Sequence, residues 1–234
     1  MLLLHGGNGL DHRAAFLHLL ARRFEVIAPS HPGFGRSALP DRFDSVDDLA
    51  YLYLDLLDEL DLHDVVLVGF SLGGWIAAEI AMRCSHRLRK LVLVAPVGIK
   101  VGDRETRDLP DIFATAPDEL IRMTFYDPAK AATDYASLSD EELQIIVRNR
   151  ESLALYTWEP YMHNPKLRHH LARIRIPTLL IRGASDRFVS AAYADAFASL
   201  IPGAQTSIIP DAGHFPEVEQ PDQLVARIAA FALG

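Results

Sequence analysis

Ser71 stands between two glycines in the run Val65-Val66-Leu67-Val68-Gly69-Phe70-Ser71-Leu72-Gly73-Gly74-Trp75-Ile76-Ala77-Ala78. An apolar, β-branched stretch stops at Gly69 and an apolar helical stretch starts straight after the serine, so the spacing predicts a strand, a sharp turn and a helix. A serine on such a turn is held in a strained backbone conformation with its hydroxyl clear of the chain. Gly69 and Gly73 have no side chains to collide where strand and helix approach. The helix N-terminus beneath the hydroxyl favours the negative charge that nucleophilic attack on a carbonyl develops.

That chemistry needs a base, and the base needs an acid to orient it. Asp186, in Arg182-Gly183-Ala184-Ser185-Asp186, and His214, in Asp211-Ala212-Gly213-His214-Phe215, each follow an expected strand, as Ser71 does. In a parallel sheet all three therefore fall at the same carboxyl edge. His214 is expected to take the Ser71 proton and return it to a leaving group, while Asp186 holds the imidazole in one tautomer. Asp103 is the rival acid, but between Gly102 and Arg104 it reads as a solvated residue. The Leu72 N–H, just after the nucleophile, is expected to donate to the oxyanion. His5 and His31 read as braces of their glycine-rich turns. The pair His169-His170 has no carboxylate or thiol partner at metal-ligand spacing, so neither a metal nor a cofactor is expected.

The elements that must position these groups follow from periodicity. Leu2-Leu3-Leu4 is a strand entering the loop His5-Gly6-Gly7-Asn8-Gly9, and Phe16, Leu19 and Leu20 mark a helix face. Phe24-Glu25-Val26-Ile27-Ala28 is expected as a short strand before the turn His31-Pro32-Gly33-Phe34-Gly35-Arg36-Ser37. Ser45 and Asp48 form a capping box for a helix whose buried face is expected to be Leu49, Leu52, Leu56 and Leu60. Leu91–Ala95, Ile176–Ile181 and Thr206–Ile209 are further strands, with helices between and after them. Strands alternating with helices predict an α/β protein with a doubly wound, mostly parallel sheet.

From 98 to 172 this alternation stops. Pro117-Asp118-Glu119 opens one helix, and the capping box Ser139-Asp140-Glu141-Glu142 opens another with Leu143, Ile146 and Val147 as its apolar positions. The segment is expected to be a helical cap inserted between core segments 1–97 and 173–234. Of its aromatics, Trp158 and Tyr161 are the expected substrate contacts from the cap, joined by Phe70 and Phe215 beside the catalytic residues.

Composition narrows the partners. Of 234 residues half are hydrophobic, enough for one sizeable core, and the net charge of −8 without a dense basic patch argues against nucleic acid or an anionic membrane. Met1-Leu2-Leu3-Leu4 has no basic flank, and no later run reaches the roughly 18 apolar residues of a membrane span. A small-molecule substrate and a cytoplasmic setting are expected. The single cysteine, Cys84, can form no internal disulfide and reads as a buried thiol.

Taken together, the elbow Gly69–Gly73, the His5-Gly6-Gly7 loop, the His31–Ser37 turn, Gly183-Ala184-Ser185-Asp186 and Gly213-His214 resemble the α/β-hydrolase family. In that family the triad runs in the order Ser, Asp, His on such loops. The resemblance covers nearly the whole chain and implies an α/β-hydrolase fold with a helical cap. It adds the Gly7 N–H as the second oxyanion donor and points to hydrolysis of a carboxylic ester, expected to be apolar, through an acyl-Ser71 intermediate. Relatives that hydrolyse carbon–carbon bonds are the alternative, yet they carry Asn before the nucleophile and Trp after the histidine, where this chain has Phe70 and Phe215. Dehalogenase and epoxide-hydrolase relatives use aspartate in place of the serine. A non-catalytic binding protein on the same fold is the other alternative. Family members usually begin with a β-hairpin that has no counterpart here, so Phe24–Ala28 is expected to be an exposed edge through which a homodimer could form.

Overall fold

The computed structural model describes residues 1–84, 86–131 and 134–234. Five strands, β1 (Leu2–Leu4), β2 (Val65–Phe70), β3 (Leu88–Val94), β4 (Thr178–Gly183) and β5 (Gln205–Ile209), lie side by side in that order, every neighbouring pair parallel. Parallel neighbours need crossover connections, and helices supply them. They are α1 (Ala15–Ala21), α2 (Val46–Glu59), α3 (Leu72–Arg83), α4 (Pro117–Thr124), α5 (Asp140–Thr157), α6 (Leu167–His170), α7 (Ala191–Ser199), α8 (Pro216–Glu219) and α9 (Pro221–Leu233).

The strands read as unbroken apolar runs because both sheet faces are covered. Leu2, Leu4, Leu67, Leu91, Leu93 and Leu180 point to one face and pack with α2, α3 and α7. Their alternates Leu3, Val66, Val68, Val92, Val94 and Ile181 point to the other and pack with α1 and α9. Truncating any of the fully buried leucines to Ala should cost about 2–5 kcal/mol. The first face continues into the segment between β3 and β4, where Leu109, Leu153, Tyr156, Met162, Leu167 and Leu171 join the same core. Among the described residues, that segment carries α4–α6 and none of the five strands. Glu79, fully buried in α3, ties it down: its carboxylate accepts from Trp75 Nε1 at 3.2 Å, Asn164 Nδ2 at 2.9 Å and Arg83.

Both expected capping boxes are present, Ser45 with Asp48 at the start of α2 and Ser139 with Glu142 at the start of α5. Three expectations need correction. Leu60, expected on the buried face of α2, lies past the end of the helix as its C-cap and is exposed. Phe24–Ala28 is not a full strand: Ile27 alone bridges to Leu2, through Leu3 N–H to Ile27 O at 2.8 Å and Ile27 N–H to Met1 O at 2.9 Å. Its partner β1 is three residues long, and Pro29 follows at once with no N–H to continue a ladder. The buried face of α5 is also different. Ile146 and Val147 are exposed, while Asn149, Ser152, Leu153 and Tyr156 are buried, because the polar members of that face meet loop backbone rather than water.

Candidate active site

β2 ends at Phe70 and α3 begins at Leu72, leaving Ser71 alone in the turn at φ 49° and ψ −109°. That left-handed conformation costs a non-glycine residue on the order of 1–3 kcal/mol and persists only where its surroundings over-determine it. Here they do. The Ser71 N–H donates to Val94 O at 2.9 Å, and its carbonyl accepts from Gly74 N at 3.0 Å and Trp75 N at 3.2 Å. A side chain at Gly69 would overlap the Gly73 carbonyl, and one at Gly73 would overlap the Leu4 carbonyl of β1. The two glycines thus let the turn close against its own helix and against the neighbouring strand.

Asp186 and His214 sit on the loops after β4 and β5, and both are buried. Asp186 Oδ1 accepts from the backbone N–H groups of Phe188 at 2.9 Å and Val189 at 2.8 Å. Its other oxygen, Oδ2, faces His214 Nδ1 at 2.9 Å, and His214 Nε2 faces Ser71 Oγ at 3.0 Å. A carboxylate can only accept, so Nδ1 carries the proton and the Nε2 lone pair is turned to the serine hydroxyl. The rings of Phe188 and Phe215 flank the imidazole at 4.9 and 5.0 Å. Asp103 turns back onto its own exposed loop, accepting from Glu105 N, Thr106 N and Thr106 Oγ1, so it has no part in this chain of bonds.

The histidine loop is held from the cap side. Thr124 O, at the end of α4, accepts the His214 N–H at 2.6 Å, and Met123 O accepts Arg187 N–H at 3.0 Å. Buried Glu219 joins the same parts: Oε2 accepts from Gly213 N at 2.6 Å, and Oε1 from Tyr126 N and Asp127 N at 2.9 and 2.8 Å. Nearby Glu217 is partly exposed as a residue, yet its Oε2 is enclosed and has no partner among the described residues. Burial pushes its carboxyl up to about 7.

Gly6 lies against the serine, so that an added side chain would sit 3.4 Å from Ser71 Cβ. Its loop is braced from below by two neutral histidines. His31 N–H donates to His5 Nε2 at 3.0 Å, which leaves the His5 proton on Nδ1, facing Gly6 O at 2.7 Å. His31 Nε2 meets His5 O at 3.0 Å, so its Nδ1 accepts from Tyr53 Oη at 2.5 Å. Burial holds the His5 imidazole down to about 4, and burial together with the neighbouring His5 ring holds His31 well below its ordinary value. Leu72, as the first residue of α3, has an N–H with no acceptor in the helix.

The expected substrate contacts divide. Phe215 lies beside His214 and packs on Phe125 at 5.0 Å. Phe70 does not reach outward: it is buried on the opposite sheet face against Phe16, because the residue before Ser71 still obeys the strand's alternation. Trp158 is 57% exposed and its ring packs edge-on to Phe113. Tyr161 donates its hydroxyl to Pro110 O at 2.7 Å and accepts from Ile112 N at 2.9 Å. Its ring also packs on Phe113, so it ties the cap to itself. Phe125, Phe188 and Leu153 take the places near the site; Phe188 stands two residues past Asp186, and Phe125 is one of the aromatics of the 98–172 segment. Among the described residues no group of three or more His, Cys, Asp or Glu side chains could hold a metal ion, and no helix is long and apolar enough to cross a membrane.

Known proteins resemble this chain in sequence and in structure. The chain is 27% identical, over 99% of its length, to the dihydrolipoyllysine-residue acetyltransferase component of the acetoin cleaving system of Pseudomonas putida, and spans 62% of that protein. It is 26% identical to the pimeloyl-[acyl-carrier protein] methyl ester esterase of Aromatoleum aromaticum, matching 100% of this chain and 98% of that one. The structure superposes on 2-hydroxy-6-oxo-6-phenylhexa-2,4-dienoate hydrolase from Rhodococcus sp. strain RHA1 with a TM-score of 0.75, 22% identity, and coverage of 100% and 90%. With the sequence model of the alpha/beta hydrolase family matching residues 1–227 as well, the chain belongs to the α/β-hydrolase family.

Proposed function

We propose that this hydrolase cleaves carboxylic esters through an acyl-Ser71 intermediate. The observation that carries the reading is the unbroken hydrogen-bonded series from Asp186 Oδ2 through His214 to Ser71 Oγ. Ser71 Oγ attacks the ester carbonyl as its proton passes to His214 Nε2, and the Leu72 and Gly7 N–H groups receive the oxyanion. Collapse breaks the ester C–O bond, and the alcohol leaves with the proton from Nε2. Water then attacks the acyl-enzyme, giving a proton to the same nitrogen, and the carboxylic acid and free Ser71 are released. Asp186 stabilises the imidazolium in both halves without taking the proton.

An ester is favoured by what surrounds the series. The side chain before the nucleophile is buried Phe70 and the one after the histidine is Phe215, so neither supplies a polar group for the carboxylate of a dienoic substrate. Phe125, Phe215 and Leu153 would offer an apolar acyl group a dry surface. The named methyl ester esterase, similar along its whole length, supports the same reaction class.

A panel of p-nitrophenyl esters from acetate to dodecanoate, with a 2-hydroxy-6-oxo-dienoate alongside, tests the reading. The expected result is ester turnover with a pre-steady-state burst equivalent to one acyl group per chain. Turnover of the dienoate alone would assign carbon–carbon cleavage, and turnover of neither would assign a binding protein.

A further inference from the structure

α5 lies across the two glycine-rich loops beside the elbow. Asn149, Ser152, Leu153 and Tyr156 recur at the spacing of one helix face, and each meets a loop. Tyr156 Oη donates to Pro32 O at 3.2 Å. A side chain at Gly33 would collide with Ser152, and one at Gly7 would come within 2.7 Å of the Leu153 methyls. Asn149 does most. Its Nδ2 donates to Asn8 O at 2.8 Å and its Oδ1 accepts from Gly35 N at 2.7 Å. One buried amide therefore satisfies a carbonyl of the 5–9 loop and an N–H of the 31–37 loop. The orientation is set by chemistry, because a flipped amide would point NH₂ at an N–H and oxygen at a carbonyl. Gly9, at φ +84°, has the amide seated where its own side chain would be.

We infer that Asn149 is a positioning residue for the oxyanion site, acting from the cap. The Asn8 carbonyl it holds is one residue beyond the Gly7 N–H, so fixing it restricts the rotation by which Gly7 could turn its N–H away from the reacting carbonyl. The His5–His31–Tyr53 series braces the loop from beneath, and Asn149 closes it from above. The inference rests on the esterase reading. Oxyanion donors act mainly in the transition state, so loss of their alignment appears in kcat rather than KM.

Asn149→Asp keeps an oxygen for Gly35 N–H and sets a second one against Asn8 O, while Asn149→Ser leaves a gap that water can fill. Each variant is measured for kcat and KM on p-nitrophenyl butyrate, for inhibition by an alkylboronic acid, whose tetrahedral adduct places a boron-bound oxygen in the oxyanion site, and for folded fraction by circular dichroism. Where Asn149→Asp does not fold, Asn149→Ser carries the test. The expected result for Asn149→Asp is a kcat lower by about 10²-fold, as for a misplacement of about 1 Å, with KM changed less than about threefold. The boronic acid Ki should rise by the same factor as kcat falls, and Asn149→Ser should lie between. Folded variants with wild-type kcat, or with lowered kcat and an unchanged boronic acid Ki, would overturn the inference. A wild-type chain that turns over no ester would instead defeat the reading beneath it, and this inference with it.

Discussion

Replacing Asp186 by asparagine changes one atom of the pair with His214, and the surrounding bonds dictate which one. Oδ1 accepts two backbone N–H groups, from Phe188 and Val189, so the amide oxygen must stay there. The NH₂ then falls at the position of Oδ2, 2.9 Å from His214 Nδ1. Two donors cannot face one another, so Nδ1 must give up its proton and Nε2 must carry it. In that tautomer Nε2 donates toward Ser71 Oγ and cannot accept its proton. The opposite amide rotamer is no escape, since it would leave two buried N–H groups without an acceptor at about 1–3 kcal/mol each. The loss in kcat should be on the order of 10³ to 10⁴, or about 4–5.5 kcal/mol of transition-state stabilisation. Because every buried group keeps a partner, the melting temperature should move little. Steady-state kinetics on p-nitrophenyl butyrate, with thermal melts of the same preparations, check both halves. Retention of more than about a tenth of wild-type kcat would refute the tautomer argument, and a comparable loss in Asp103→Asn would move the acid to the earlier loop.

Glu217 gives a pH dependence with a definite sign. Its carboxyl is raised from 4.5 to about 7, so the folded chain holds this proton more tightly than the unfolded one. The contribution is fully present below about pH 4.5, falls as the pH rises toward 7, and is lost above it. The total is up to about 3 kcal/mol, and Glu217→Gln should flatten this part of the stability profile in denaturant titrations between pH 5 and 8. An identical slope in both chains would contradict it. Phe125→Ala should shift the preferred acyl length on the ester panel, whereas Trp158→Ala should leave it unchanged, as the exposed ring packs on Phe113. The reverse outcome would put the substrate against the cap's outer aromatics.

The sheet was readable because β2, β3 and β4 are apolar on both faces, which leaves continuous hydrophobic runs that turn residues punctuate. The meeting of Ser71, Asp186 and His214 was readable for a related reason: each stands just past such a run, and parallel strands bring those ends to one edge. Phe24–Ala28 misled, since its composition suits a strand but pairing also requires a neighbour long enough to pair with. The cap was the least legible. Periodicity registers apolar residues, and α5 buries Asn149 and Ser152 instead, against loops more than 100 residues earlier in the chain. Glu219 was hidden in the same way, because its burial is made tolerable by three backbone N–H groups, one from nearby Gly213 and two from the distant Tyr126-Asp127 segment. Aromatic content pointed to Trp158 and Tyr161, but their rings pack on Phe113 within the cap, while Phe215 stands beside His214 with Phe125 packed on it.

The central claim is that His214 activates Ser71 as a nucleophile, and the rate and site of fluorophosphonate labelling test it most directly. Intact-mass analysis of the wild-type chain should show one adduct forming in a single exponential, and peptide mapping should locate it on Ser71. Ser71→Ala should take no label, and His214→Ala should label slower by several orders of magnitude while remaining folded. A wild-type chain that stays unlabelled, or an adduct that maps elsewhere and persists in Ser71→Ala, would contradict the account.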